Sequence, residues 1–394
     1  MEIESWWLLA IPLFFGLGWF AARLDLRSGG ARPRGTLPEA YFRGLNFLLN
    51  EQPDKAIDAF VDVVRLDPET VELHFALGNL FRRRGETDRA IRVHLNLVER
   101  RDLDAPQREH ALFELGQDYL KAGLLDRAED AFNRLEGSRY AAAALHHRLE
   151  IAQMVRDWPL AIAHAERLER DCGERHGRDV SHYRCEMAAA SLALGTPGGR
   201  EAARREIAAA SAADPKHPRP PLLAGELAQA QDDPAGAIAA WEPLVREAPA
   251  FLALVADDWL AAHAAVGRFD AGLGALERVQ AEHPSVDTFA AIADALARER
   301  GQEEALAWAR AGLERQPSLL ALERLLALHA PLADEARRGD IELMQRVVQP
   351  QARRLARYVC RHCGFKARQF YWQCPGCSRW DTYAPKRTEE IERG

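Results

Sequence analysis

Small and large apolar positions recur along this chain of 394 residues with a period of about 34. Gly44, Phe47, Ala56 and Phe60 find counterparts at Gly78, Phe81, Ala90 and His94. After a short insertion they recur at Gly116, Tyr119, Ala128 and Phe132. That spacing predicts helical hairpins: small residues let two helices approach, and rings fill the groove against the next hairpin. Asp67-Pro68 ends a second helix because proline cannot continue the hydrogen-bond ladder, and Pro215, Pro249, Pro284 and Pro317 repeat the stop. Weaker copies run from Asp157 through Ala161 to Leu168 and through Ala203, Ile207 and Ala210. Later ones carry Ala237 with Trp241, Gly272 with Leu276, and Ala305 with Ala309. The reading is all-α, with about eight hairpins over residues 37–318 and terminal helices over 319–356, including one from Asp340 to Ala356. An irregular helical solenoid is the alternative. Thr196-Pro-Gly-Gly199 reads as a turn.

One stretch breaks the period. Trp6 to Ala22 carries no charge and, as a helix, spans about 26 Å, slightly short for a bilayer. Trp6, Trp7 and Trp19 sit near its ends, where indoles favour the headgroup region. A signal peptide needs a basic start, but Glu2 and Glu4 stand there. A buried core helix would not place tryptophans so near a terminus. Residues 1–23 are therefore expected to be a transmembrane anchor and 24–36 a linker rich in Gly and Arg. Arg23, Arg27, Arg32 and Arg34 follow the span and no Lys or Arg precedes it, which places the body on the cytoplasmic side.

Charge and composition narrow the function. A net charge of −7 argues against a general nucleic-acid binder. No phosphate loop, dinucleotide fingerprint or nucleophile elbow is visible, so no catalytic residue is assigned. Stacked hairpins have no chemistry of their own but offer a concave surface to a peptide or protein.

Chemistry enters at the C-terminus. Cys360-Arg-His-Cys363 and Cys374-Pro-Gly-Cys377 are two C-x-x-C pairs close in sequence, the spacing of a tetrahedral thiolate site for one metal ion, zinc or iron. Reduced thiolates agree with a cytoplasmic body. So small a unit cannot bury enough apolar surface alone, and the metal replaces a core. Tyr358, Phe365, Phe370, Tyr371, Trp372, Trp380 and Tyr383 crowd it. Gly364 and Gly376 are expected to turn backbone amides toward the sulfurs. A closed four-thiolate site favours a structural or docking module capping the last solenoid face. Electron transfer by iron, or nucleic-acid binding through a basic segment 350–394 with ten Lys/Arg against four Asp/Glu, are the other readings. Cys172, His176, His182 and Cys185 are residue types of a zinc site, but in the wrong order and spacing; they read as loop and helix residues.

The hairpin period and small/large spacing resemble the tetratricopeptide repeat. Cys-x-x-Cys-Gly with a following aromatic, then Cys-Pro-x-Cys, resembles the rubredoxin knuckle over 357–385, with a polar tail at 386–394. The order of parts, together with Tyr358-Val-Cys-Arg-His-Cys-Gly-Phe365 and Tyr371-Trp-Gln-Cys-Pro-Gly-Cys-Ser378, resembles the lipopolysaccharide assembly protein B family of Gram-negative bacteria over essentially the whole chain. The resemblance implies Cys360, Cys363, Cys374 and Cys377 as metal ligands. It also implies a non-catalytic regulator at the inner membrane, linked to the protease FtsH and its deacetylase substrate and restrained by a lipopolysaccharide-sensing membrane protein. A homo-oligomer is compatible with it. A non-proteolytic scaffold and a rubredoxin-like redox carrier are the alternatives.

Overall fold

The computed structural model describes residues 42–44, 46, 47, 50, 52–66 and 70–393, together with Trp19. The expected linker, the expected anchor apart from Trp19, and the Asp67-Pro68 stop lie outside the described residues. Among the described residues no helix is long and apolar enough to cross a membrane. The chain divides into two compact units, residues 1–147 and 148–394.

In the first unit α1 (Pro53–Leu66) is followed by the hairpins α2 (Val71–Arg84) with α3 (Thr87–Glu99) and α4 (Ala105–Lys121) with α5 (Leu125–Asn133). Helix α6 (Ala141–Met154) begins here, and the division falls within it. The expected small-over-large crossing is present: a Cβ built on Gly44 would stand 2.6 Å from the Phe60 ring, and one on Gly116 2.7 Å from Phe132. Gly78 faces His94 in the same way. Any larger residue at these points would push the helices of a hairpin apart.

His94 is polar where its counterparts are phenylalanine, and its burial is met by a polar network. Its Nδ1 lies 2.5 Å from Oδ2 of Asp118, itself fully buried. Asp118 also accepts from Arg82 at 2.8 Å, and Arg82 reaches Glu114 at 2.5 Å and Asn79 at 2.6 Å. Burial would raise the Glu114 carboxyl, but hydrogen bonds from His110 and Arg82 bring it down to about 2. Every buried charge in this network therefore has a partner.

The second unit continues with α7 (Trp158–Cys172), α8 (Gly177–Ala193), α9 (Pro197–Ala213), α10 (Arg219–Gln229) and α11 (Pro234–Glu247). A 3₁₀ turn (Pro249–Val255) leads into α12 (Ala256–Ala265) and α13 (Phe269–Glu282); α14 (Val286–Glu299), α15 (Gln302–Arg315) and α16 (Leu319–His329) follow. Proline stands just beyond the ends of α9, α11, α13 and α15, as the sequence predicts. Helix starts are chemically marked as well. The Asp157 and Asp233 side chains accept the amides of Leu160 and Gly236, with proline in the first turn. Thr196-Pro-Gly-Gly199 is not a free turn: Thr196 accepts from Gly199 and starts α9. Trp241 packs against Gly225, and with Trp259, Leu252 and Leu260 it centres the main core.

Helix α17 runs Glu335–Leu355, five residues earlier than the sequence reading, because Asp334 caps it through the Arg337 amide. It buries Ile341 against Leu326 and Ala333. Two short antiparallel strands, β1 (Tyr358–Val359) and β2 (Lys366–Ala367), then open the cysteine module. The final residues, read as a polar tail, form α18 (Thr388–Arg393).

Candidate functional site: a four-thiolate ribbon held against the helical hairpins

Each knuckle is a tight turn made by its own backbone. The Gly364 amide donates to the Cys360 carbonyl at 2.9 Å, and the Ser378 amide to that of Cys374 at 2.8 Å. Both turns need a left-handed residue, supplied by Gly364 (φ +75°) and Ser378 (φ +56°). The sequence expects the Gly376 amide to turn toward a sulfur. Its amide does point at a sulfur, 3.4 Å from Cys374 Sγ, but the left-handed position belongs to Ser378. In the first knuckle the amide near sulfur is that of Cys363, 3.4 Å from Cys360 Sγ. Isolated bridges pair Gln373 with Trp380, closing the second knuckle, and Cys360 with Tyr383, tying the first knuckle to the chain that follows the second.

These turns bring Cys360, Cys363, Cys374 and Cys377 together, every sulfur within 4.8 Å of the others. Cys360 and Cys377 sulfurs stand 3.8 Å apart, and those of Cys363 and Cys374 3.6 Å. Tetrahedral bonds of about 2.3 Å place thiolates about 3.8 Å apart, so the spacing fits one ion the size of zinc or iron. The amide hydrogen bonds favour the charged sulfurs that a metal requires. The four cysteines thus form a site for one metal ion held by four thiolates.

The module does not sit only on the last face of the hairpins, as the sequence suggested. Its contacts run from Gln153 to Leu320, along the first helix of successive hairpins in the second unit. Trp380 stacks on His182 of α8 with centroids 4.4 Å apart, meets Trp158 and Tyr183 edge-on, and donates to Gln153 at 3.3 Å. Trp372 lies parallel to Phe251 at 5.4 Å and edge-on to His217, with the Arg219 guanidinium 5.6 Å from its ring. Phe370 meets Phe251 edge-on.

Charged contacts fix this apolar seam. Asp381 accepts from Arg178 at 2.5 Å and from His182 Nε2 at 3.0 Å. Burial would raise its carboxyl, but those two donors hold it far below the usual carboxylate range. Beneath them His217 shares a hydrogen bond with Ser181 at 2.9 Å and is pushed down to about 3, chiefly by burial and then by its neighbours His182 and Arg178. Farther along, Asp287 of α14 takes two hydrogen bonds from Arg387 and one from the Tyr358 hydroxyl.

The chain end completes the contact. Glu389 accepts the Leu319 and Leu320 amides at 2.6 and 3.1 Å and bonds the Ser318 hydroxyl at 2.9 Å. Glu390 takes the Val286 amide at 3.1 Å. Two carboxylates thereby satisfy free amides at the N-termini of α16 and α14, where negative charge is favoured.

Cys172, His176, His182 and Cys185 do not converge on a metal. Cys172 is exposed, and Cys185 is buried in an apolar cluster that pushes its thiol up to about 12. His176 bonds Asp179 at 3.0 Å. His182 alone has an assigned task, and its partner Asp381 lies far away in sequence. No local spacing could have exposed that pair; only the density of aromatic residues around the cysteines hinted at a docking face.

Hairpins built on a glycine facing a ring, carrying a docked four-thiolate ribbon, define a tetratricopeptide-type repeat protein with a rubredoxin-like metal module. Residues 358–385 match the family described as rubredoxin metal binding domain. Over its full length the chain is similar to lipopolysaccharide assembly protein B of Escherichia coli K12, with 32% identity across 96% of this chain and 97% of that protein. The protein of the same name from Haemophilus influenzae is 26% identical across 97% of this chain and 98% of its own. A solved tetratricopeptide repeat protein from Parabacteroides merdae aligns with 74% of this chain and 97% of its own at 13% identity, with a TM-score of 0.28, too distant to bear on function. The chain belongs to the lipopolysaccharide assembly protein B family.

Proposed function

We propose that this chain is a non-catalytic adaptor, tethered by residues 1–23 to the bacterial inner membrane with its body on the cytoplasmic side. In this reading it promotes FtsH-mediated proteolysis of the deacetylase that commits precursor to lipid A, under restraint by a lipopolysaccharide-sensing membrane protein. The observation that carries the adaptor class is the docked ribbon. Its four thiolates are all ligands, leaving no open metal position for substrate, and Phe370, Trp372 and Trp380 are committed to contacts with the hairpins. Partner binding then falls to other surfaces. One is a row of half-buried rings in the first unit: Phe113 stacks on Tyr140 at 4.8 Å, and His110 lies parallel to Tyr140 at 5.8 Å. Confining adaptor, protease and substrate to one membrane raises their effective concentration without a large interface.

The test is the half-life of the deacetylase in cells with the intact chain, without it, without residues 1–23, and with Cys374→Ser. Turnover should require the anchor and the intact ribbon. An unchanged half-life in cells lacking the chain would sink the proteolytic reading and leave the non-proteolytic scaffold. A reversible visible spectrum of bound iron would instead favour a redox carrier.

A further inference from the structure

Helix α17 buries only one of its faces. Ile341, Val348 and Ala352 turn inward, whereas Leu343 is 54% exposed, Met344 47% and Val347 68%. At 100° per residue Leu343, Val347 and Pro350 fall on one stripe with Met344 beside it. Arg346 and Arg353 follow one margin of that stripe, and Arg354 stands at its end. All three arginines are exposed and none is ion-paired among the described residues. An exposed apolar stripe of this kind calls for an occupant.

Charge says which occupant. Between Glu342 and Asp381 the chain carries seven arginines and one lysine and not one Asp or Glu, although its net charge is −7 overall. The cations continue past the helix into the ribbon, where Arg361, Lys366, Arg368 and Arg379 are exposed, as is Phe365 at 43%. Aliphatic side chains flanked by arginine on a solvent-facing helix are the pattern of a segment lying in the plane of an anionic bilayer. A second protein would be expected to meet some of these cations with carboxylates, and this segment of a second copy has none to offer.

We propose that the outer face of α17 docks on an anionic phospholipid surface, with Leu343, Met344 and Val347 in the headgroup boundary and Arg346, Arg353 and Arg354 on lipid phosphates. This contact is separate from the anchor: a chain without a spanning segment could still make it, and an anchored chain could lack it.

The full chain, with a benzophenone amino acid replacing Val347, is reconstituted in vesicles of phosphatidylcholine with or without phosphatidylglycerol and irradiated; adducts are read by mass. A matching substitution at exposed Glu303 sets the background, and alkaline extraction reports the anchor separately. A lipid adduct at 347 is expected only with phosphatidylglycerol and well above that at 303. Each arginine near the surface is worth about five-fold, so Arg353→Ala with Arg354→Ala should lower the adduct about thirty-fold, with circular dichroism unchanged. Equal adducts with both lipids, or at both positions, overturn the proposal. So does a chain-to-chain adduct at 347, which would make this face an interface between copies.

Discussion

Trp380→Ala separates the two jobs of the ribbon, because Trp380 touches the hairpins but not the metal. Its ring stacks on His182 and meets Trp158 and Tyr183 edge-on, while its backbone pairs with Gln373. Removing a fully buried tryptophan costs about 3–5 kcal/mol, and Trp380 is only partly buried, which leaves about 2–3 kcal/mol. That lowers the ratio of docked to free ribbon by a factor of about 30 to 160. The reporters are the Leu319 and Leu320 amides, which Glu389 holds from the far end of the module. Amide hydrogen exchange should speed up there by a similar factor, while metal content stays at one ion per chain. Two results would refute the reasoning. If exchange at Leu319 and Leu320 is unchanged, the tryptophan seam does not hold the chain end. If the metal is lost, site and docking are not separable.

Cys374→Ser leaves three thiolates and should abolish stable metal binding, read by elemental analysis, with faster exchange at the same two amides. The second unit should lose stability as pH falls. The unfolded chain protonates His217 below about 6.5 while the folded chain keeps it neutral until about 3, so stability is full above 6.5 and declines through that window. The slope is at most about 1.4 kcal/mol per pH unit; thermal melts should show it, and His217→Gln should flatten it. In the first unit Asp118→Ala strands Arg82 and His94, and a loss of about 3 kcal/mol is expected in denaturant unfolding. A loss near zero would mean that Glu114 and Asn79 satisfy Arg82 without it.

The hairpins and the metal ligands were legible because both are written in local spacing. A glycine followed sixteen residues later by a ring gives the crossing at Gly44 and Phe60 or Gly116 and Phe132. Two C-x-x-C pairs give the four sulfurs. What stayed hidden depends on distant residues. Asp381 finds Arg178 and His182, and Glu389 finds the start of α16, only once the hairpins of the second unit have stacked. Ser378 was missed because serine gives no sign of left-handed backbone; the regular knuckle pattern drew attention to glycines instead.

The docked arrangement also explains why so small a module has so many exposed-type rings. A ribbon of two short strands cannot enclose Trp372, Phe370 and Trp380, and the metal organises only the knuckles. Phe251, His217, His182 and Trp158 supply the other half of that core from the hairpins. The hairpins gain in turn: one continuous segment, Tyr358 to Glu390, ties α8, α14 and α16 together through Asp381, Tyr358 with Arg387, and Glu389. Neighbour-to-neighbour packing in a repeat stack is additive and lets each hairpin open on its own. A strap across several hairpins removes that independence. Metal loss should therefore register not at the cysteines alone but as joint loosening of helices several hairpins apart, which gives the four thiolates a structural role that extends well beyond their own knuckles.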